Sequence, residues 1–373
     1  MKIIHCADLH LDSRLNSNLD HEKAKIRKGE ILRTFTRMVE YAAQEGVEAV
    51  LIAGDLFDKN TISATARNTV LHQIRENPGI SFYYLRGNHD CDNFLQQKEE
   101  IPANLYTFGD GWKTYETGGV AITGVELSGE NAGFAFRSLV LDGEKFNIVM
   151  LHGQETSAAA GDRTAVVNLN ALRQRGIDYL ALGHIHAYKM DRLDARGSYC
   201  YPGCLDGRGF DECGEHGFVL LEVEEGSGKY SHTFVPFASR KLYCVEVDVS
   251  DCRSTQEMLS LTQKQISEMG CEAESLLKIV LKGSPDVSCE KDLSYFRTSL
   301  EGSFFYIKVC DETRLRVNLE DFQRDQSLKG EFVRLVMGAE ELEPEEKARI
   351  VRYGLQAIAG EEVKWDETDR MSY

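Results

Sequence analysis

The chain has no apolar run long enough to span a bilayer, no internal repeat and no low-complexity linker. A membrane-spanning helix and a repeat array are thereby excluded. Met1 runs straight into the apolar stretch Lys2 to Ala7, so a cytoplasmic protein without a secretory leader is expected. The ten cysteines are scattered, with no spacing that reads as a disulfide framework. Cys6 and Cys244 fall inside predicted strands, which points to buried reduced thiols. Cys200, Cys204 and Cys213 come nearest to a zinc cluster, but their spacing fits no zinc-ligand pattern. Basic charge is short as well. Lys and Arg number 43 against 60 Asp and Glu, a net charge of -17, so the overall basic footprint of a nucleic-acid binder is missing.

The imbalance is uneven. Lys23, Lys25, Arg27, Lys28, Arg33 and Arg37 make the first predicted helix basic, and Arg14, Arg163 and Arg208 add isolated positive charge. Glu340 to Glu346 is acidic. The basic helix reads either as a solvated face or as a phosphate contact. At 373 residues, with 42% hydrophobic and 28% charged residues, the chain can build two domains and a large core.

What the chain does have is a set of apolar runs that end alike. Phe82 to Leu85 closes on Arg86-Gly87-Asn88-His89-Asp90. Lys2 to Ala7 leads into Asp8-Leu9-His10, and Val50 to Ala53 into Gly54-Asp55-Leu56-Phe57-Asp58. Phe146 to Leu151 leads into His152-Gly153, and Tyr179 to Leu182 into Gly183-His184-Ile185-His186. Each is a short strand followed by a metal-competent residue at its C-terminal end, where open α/β sheets place their sites. A single His after a strand is usually a hydrogen-bonded core or surface residue, and His5, His21, His72, His216 and His232 are read that way. The shared pattern sets the others apart.

Helices are predicted over Glu22 to Gln44, stopping at Gly46, and over Ser63 to Glu76, with Ser63 as N-cap and Pro78-Gly79 as the stop. Strand-helix-strand-helix-strand is the parallel βαβ pattern. From Val120 onward strands dominate: Val120 to Val125, Ser138 to Leu141, the His152 and His184 strands, Tyr199 to Tyr201, Phe218 to Glu224 and Thr233 to Pro236. Two packed sheets with helices outside fit this better than one doubly wound sheet. Beyond a boundary near Arg240, a smaller α/β unit is expected. Its strands are Leu242 to Val249, Leu276 to Leu281 and Phe304 to Val309, and its helices Thr255 to Met269 and Glu290 to Leu300. Residues 323–360 read as amphipathic helix, with Pro344 in the first turn of a helix running to Ala359. The expected divisions are 1–239, 240–322 and 323–373.

Asp8, His10, Asp55, Asn88, His152, His184 and His186 are oxygen and imidazole donors converging on one sheet edge, more than one cation needs. Two cations bridged by Asp55 account for them. Such a pair, about 3.5–4 Å apart, clamps the attacking and leaving oxygens of an in-line displacement at phosphorus. Two divalent ions with the Asp8 and Asp55 carboxylates leave the site net positive, so the acidity of the chain does not repel a phosphodiester. The imidazoles favour manganese, iron or zinc over magnesium, with manganese first. His89 remains as a general acid, with Asp58 placed to orient it.

Asp8-x-His10, Gly54-Asp55-x-x-Asp58, Gly87-Asn88-His89-Asp90, His152-Gly153 and Gly183-His184-x-His186 resemble the signature of calcineurin-like metallophosphoesterases. With Tyr201-Pro202-Gly203 and the second domain, the chain looks like SbcD-type DNA repair nuclease subunits. Leu9 and Asp12 stand where those usually carry Trp and Gly, and Cys204 where they carry Ser. Asp8-Leu9-His10-Leu11-Asp12-Ser13 is more similar to the YhaO-type branch. The resemblance implies a four-layered α/β sandwich with a capping domain that contacts DNA. It implies one metal on Asp8, His10, Asp55 and His186, another on Asp55, Asn88, His152 and His184, and His89 as the proton donor to the leaving oxygen. It further implies exo- or endonuclease activity on DNA with an SbcC-like coiled-coil ATPase partner, and leaves a homodimer open. A phosphoesterase acting on cyclic nucleotides or phosphoproteins, and a non-catalytic binding module, are the competing readings. The tail from Gln323 is expected either to fold back on the capping domain or to dock on the ATPase.

Overall fold

A computed structural model describes residues 1–13, 15, 19–58, 62–90, 94–95, 101–128, 131, 134–156, 166–224, 226, 228–286, 289, 291–314 and 325–358. Arg14, Arg163 and the tail residues 323–324 and 359–373 lie outside them. The chain divides into two compact units, Met1–Leu242 and Tyr243–Tyr373.

The first unit contains two six-stranded sheets. One runs β14-β13-β1-β2-β3-β4, built from β1 (Lys2–Cys6), β2 (Ala49–Ala53), β3 (Ser81–Leu85), β4 (Leu105–Thr107), β13 (Gly217–Val223) and β14 (Tyr230–Pro236). Strands β1 to β4 are parallel, and β13 adds to β1 antiparallel, with Ile4 opposite Leu220. The other runs β11-β12-β10-β7-β6-β5, from β5 (Lys113–Thr117), β6 (Val120–Gly124), β7 (Phe146–His152), β10 (Tyr179–Gly183), β11 (Lys189–Arg192) and β12 (Ser198–Tyr201). A short parallel pair, β8 (Gln154–Thr156) and β9 (Val166–Asn168), stands apart.

Every residue of β2 and β10 is buried, as expected of parallel strands covered on both faces. Side-chain alternation divides them between two cores. Val50 and Ile52 face α1 (His21–Gln44) and α2 (Ala64–Glu76), whereas Ala49, Leu51 and Ala53 meet Ile148, Met150, Tyr179 and Ala181 between the sheets. The outer face of the second sheet is covered by α3 (Leu169–Leu172) and the 3₁₀ turn Ala135–Arg137, through Leu169, Leu172, Ala135 and Phe136. The order is helices, sheet, sheet, helix and turn.

Asp20 caps α1, its carboxylate accepting from Lys23 N at 2.8 Å, and Gly46 ends it at φ +67°. Ser63 caps α2 through Ala66 N. The basic face predicted for α1 is only partly free. Arg27 is fully buried, with donors on Asp206, on Gly207 O at 2.7 Å and on Ser239 Oγ at 2.6 Å. Lys28 pairs with Asp12, and Arg37 lies over the Phe237 ring. The predicted strand Ser138 to Leu141 is absent. Ser138 closes the 3₁₀ turn instead, its hydroxyl donating to Ala135 O at 3.0 Å, and Leu139 is buried while Val140 stays exposed.

The second unit carries a three-stranded sheet, β15-β16-β17, from β15 (Leu242–Asp248), β16 (Leu276–Lys282) and β17 (Tyr306–Asp311). Helices α4 (Thr255–Glu268) and α5 (Leu293–Leu300) share its core through Met258, Leu259 and Phe296 against Val247, Ile279 and Leu281. Helices α6 (Leu328–Gly338) and α7 (Pro344–Ile358) have a core of their own in Val333, Val351 and Leu355. They pack closely: a Cβ on Gly354 would lie 2.1 Å from Phe332 Cζ. Leu328 (73%) and Leu335 (67%) remain exposed. No helix among the described residues is long and apolar enough to cross a membrane.

His5 is buried between the sheets with Nδ1 2.8 Å from the Tyr179 hydroxyl. Burial lowers its pKa from 6.5 to about 3. A folded pKa below the unfolded one means that the unfolded chain binds the extra proton. The stability contribution is therefore present above pH 6.5 and is lost as pH falls toward 3, at up to about 1.4 kcal/mol per unit. Urea melts in chelator at pH 7 and 4.5 should show the wild type losing more stability than His5→Gln over this interval. Parallel losses in the two proteins count against a buried neutral His5.

Candidate metal centre

Five strand ends deliver the predicted residues to one edge. Asp8 and His10 follow β1, Asp55 and Asp58 follow β2, and Asn88 and His89 follow β3. His152 ends β7, and His184 and His186 follow β10. The ligand atoms of Asp8, His10 and His186 lie within 4.8 Å of one another, as do those of Asp8, Asp55 and His152, and of His10, Asp58 and His89. Asn88 joins through Oδ1, 3.0 Å from His152 Nε2 and 3.3 Å from His184 Nδ1.

The backbone makes this convergence possible. Asp8, His10, Asp55 and His184 all have positive φ, at 52°, 42°, 51° and 105°, a conformation that costs a non-glycine residue roughly 1–3 kcal/mol. Glycines admit the close approaches. A Cβ on Gly87 would sit 2.2 Å from Asp55 Oδ1, and one on Gly183 would sit 1.9 Å from Ala53 O. The carboxylates are aimed by main-chain donors. His184 N donates to Asp8 Oδ1 and Oδ2 at 3.0 and 2.9 Å, and His89 N donates to Asp55 Oδ1 at 2.8 Å.

The imidazoles are oriented from behind. His152 Nδ1 donates to Ala53 O at 3.0 Å, so Nε2 faces Asn88 Oδ1 and, at 3.4 Å, Asp55 Oδ2. His186 Nδ1 donates to Glu212 Oε1 at 2.7 Å, so its Nε2 faces His10 Nε2 at 3.3 Å and Asp8 Oδ1 at 4.0 Å. Acceptors thus point at acceptors, an arrangement that requires positive charge among them. Burial opposes charge on His152, but the Asp55 hydrogen bond and the charges of Asp8 and Asp55 outweigh it and raise its pKa to about 9. Burial raises Asp8 to about 6 against the pull of His152 and His186, and lowers His10 to about 3. Asp55 is held well below the usual carboxylate range: burial opposes the shift, but the His152 hydrogen bond and nearby imidazoles prevail. Divalent cations supply the same charge, and the donor set of buried carboxylates and imidazole nitrogens fits them.

His89 stands beside this cluster, its Nδ1 donating to Asp58 Oδ1 at 3.0 Å. Asp90 turns away and closes the strand-end turn, accepting from Gly87 N and Phe57 N, each at 2.9 Å. Next to Asn88 and His152 opens a cleft walled by Arg86, Glu126 and Asp110. Sequence reasoning missed Glu212. Nothing in its surroundings marks it, and it lies 26 positions from the His186 it touches.

The profile of the calcineurin-like phosphoesterase family matches residues 1–188, which include every strand-end residue above. The chain is 28% identical over 305 residues to the uncharacterized metallophosphoesterase YhaO of Bacillus subtilis, covering 76% of this chain and 72% of that one. It is 25% identical over 341 residues to the DNA double-strand break repair protein Mre11 of Aeropyrum pernix, covering 83% and 80%. It is 24% identical over 365 residues to the Mre11 repair protein of Methanopyrus kandleri, covering 87% and 76%.

Gly183→Ala forces a methyl against Ala53 O and should cost at least the ~1–3 kcal/mol typical of overpacking. It should also lower manganese uptake, measured by metal analysis after gel filtration. Gly79→Ala, whose Cβ meets nothing within 4 Å, is the control. Equal stability and metal content in both variants contradict the close approach of β10 to β2.

Proposed function

Because the chain belongs to the calcineurin-like phosphoesterase family, we propose that its strand-end cluster holds two divalent cations and cleaves phosphodiester bonds in DNA. The family is one of dinuclear metallophosphoesterases, and the observation that carries the reading here is the convergence of acceptors on acceptors around Asp55. Asp8, His10, Asp55 and His186 would hold one cation, and Asp55, Asn88, His152 and His184 the other. Bound cations supply the Lewis acidity that clamps the attacking and leaving oxygens. The remaining chemistry belongs to the chain. Asp58 holds His89 Nδ1, which leaves Nε2 to deliver a proton to the leaving oxygen when the ring is doubly protonated. Imidazoles make up the larger part of the donor set, which favours manganese, with iron or zinc next and magnesium last.

DNA as substrate draws support from relatives named as double-strand break repair proteins, matched along most of their length. A non-catalytic module has no use for His89 and its Asp58 partner, both retained here beside the cluster. Purified protein with manganese should cut end-labelled single- or double-stranded DNA as well as bis-p-nitrophenyl phosphate. Hydrolysis of the small diester without any cutting of DNA would move the assignment to a non-DNA substrate. His89→Ala should keep its metals and lose about 10²–10⁴-fold in kcat, whereas Asp55→Ala should lose metal. A metal-free His89→Ala, or one of full activity, removes the general-acid role.

The exposed residues Leu328, Leu335, Met337 and Ile350 on α6 and α7 support docking to a coiled-coil ATPase subunit through helix packing. The two helices already share a core, so the pair can present a preformed face. Ending the chain before residue 323 should leave hydrolysis of bis-p-nitrophenyl phosphate intact and abolish co-purification with the ATPase. A truncated protein that unfolds, or one that still binds the ATPase, defeats this placement.

A further inference from the structure

We propose that Glu212, clamped by Arg208, is the positioning residue that holds His186 with its Nε2 turned toward the cations. The inference rests on the dinuclear reading and adds a residue beyond the matched family region.

Glu212 is 8% exposed, in the turn that follows β12, with its N donating to Gly209 O at 2.9 Å. Its Oε1 accepts from His186 Nδ1 at 2.7 Å, among the shortest contacts in the centre. An imidazole nitrogen that spends its proton this way leaves the opposite nitrogen as a lone pair, here facing His10 Nε2 and Asp8. Carboxylate partners of this kind fix the tautomer and the ring plane of a metal-binding histidine and strengthen it as a ligand.

The carboxylate is itself fixed. Arg208 N donates to Oε2 at 2.7 Å, and Arg208 Nη2 donates to Oε1 at 2.8 Å. The Glu212 carbonyl accepts from His216 Nε2 at 2.6 Å. That leaves His216 Nδ1 as an acceptor, 3.2 Å from the Cys204 thiol, which donates to it. Cys204 N in turn donates to His186 O at 3.1 Å. His186, Glu212, His216 and Cys204 therefore form a closed circuit. It grips His186 by both ring and backbone, and it gives the buried Cys204 thiol a role as a donor.

The test is manganese binding by calorimetry, with electron paramagnetic resonance reporting the coupled ion pair. Glu212→Ala should weaken one of two manganese sites by about 10–100-fold and diminish the coupled signal; it also strands the Arg208 guanidinium, so its melting temperature in chelator should fall and binding is read well below it. Glu212→Gln keeps an acceptor oxygen and should fall between the two, and it carries the test if the alanine variant does not fold. In a His186→Ala background, adding Glu212→Ala should weaken binding no further, because Glu212 acts through that ring. Wild-type affinity at both sites in Glu212→Ala, or a further loss in the His186→Ala background, overturns the proposal. Wild-type protein that takes up fewer than two manganese ions overturns the dinuclear reading instead.

Discussion

Hydrogen-bond acceptors that face one another with too few protons between them are the constraint on which the first unit depends. Asp8, Asp55, Asn88 Oδ1 and the Nε2 atoms of His10, His152 and His186 crowd one strand edge. Left alone they would move apart. Main-chain donors from His184 and His89 hold the two carboxylates, and Ala53 O and Glu212 hold two of the imidazoles. Four of the converging residues adopt left-handed backbone, which only a rigid surround maintains. That rigidity comes from strands buried on both faces and from two sheets in contact through small residues such as Ala49, Ala53 and Ala181. The packing of the core and the crowding of the site are thus two sides of one balance.

Much of this was legible in the sequence because strand ends are marked locally. A buried parallel strand is an uninterrupted apolar run, and the residue after it falls where α/β sheets place their chemistry. Asp8, Asp55, Asn88, His152 and His184 could be found that way, and the Asp58–His89 pair with them. The edge strands were harder. β5 and β11 are polar and largely exposed, with neither run nor alternation to announce them. Ser138 to Leu141 showed the opposite error, an apolar stretch that pairs with no strand and buries Leu139 against the outer face of the second sheet. Arg27 looked like one more cation on a basic helix, yet it is buried among Asp206, Gly207 and Ser239. Partners so distant in sequence leave no local trace, and Glu212 escaped notice for the same reason.

The order of strands in the first sheet bears on how the molecule is made. β1 lies inside that sheet, between β2 and β13, and Lys2 pairs with Glu222 near the far end of the unit. During synthesis β1, β2 and β3 can assemble with α1 and α2 while β13 is still unmade. Asp8, Asp55 and Asn88 are then in place, but His152, His184 and His186 have not left the ribosome. For that interval β1 is an open strand edge, the kind of surface on which nascent chains associate wrongly. Both carboxylates and His10 come first and the other three imidazoles last, so the growing chain carries half a site well before it carries a catalyst.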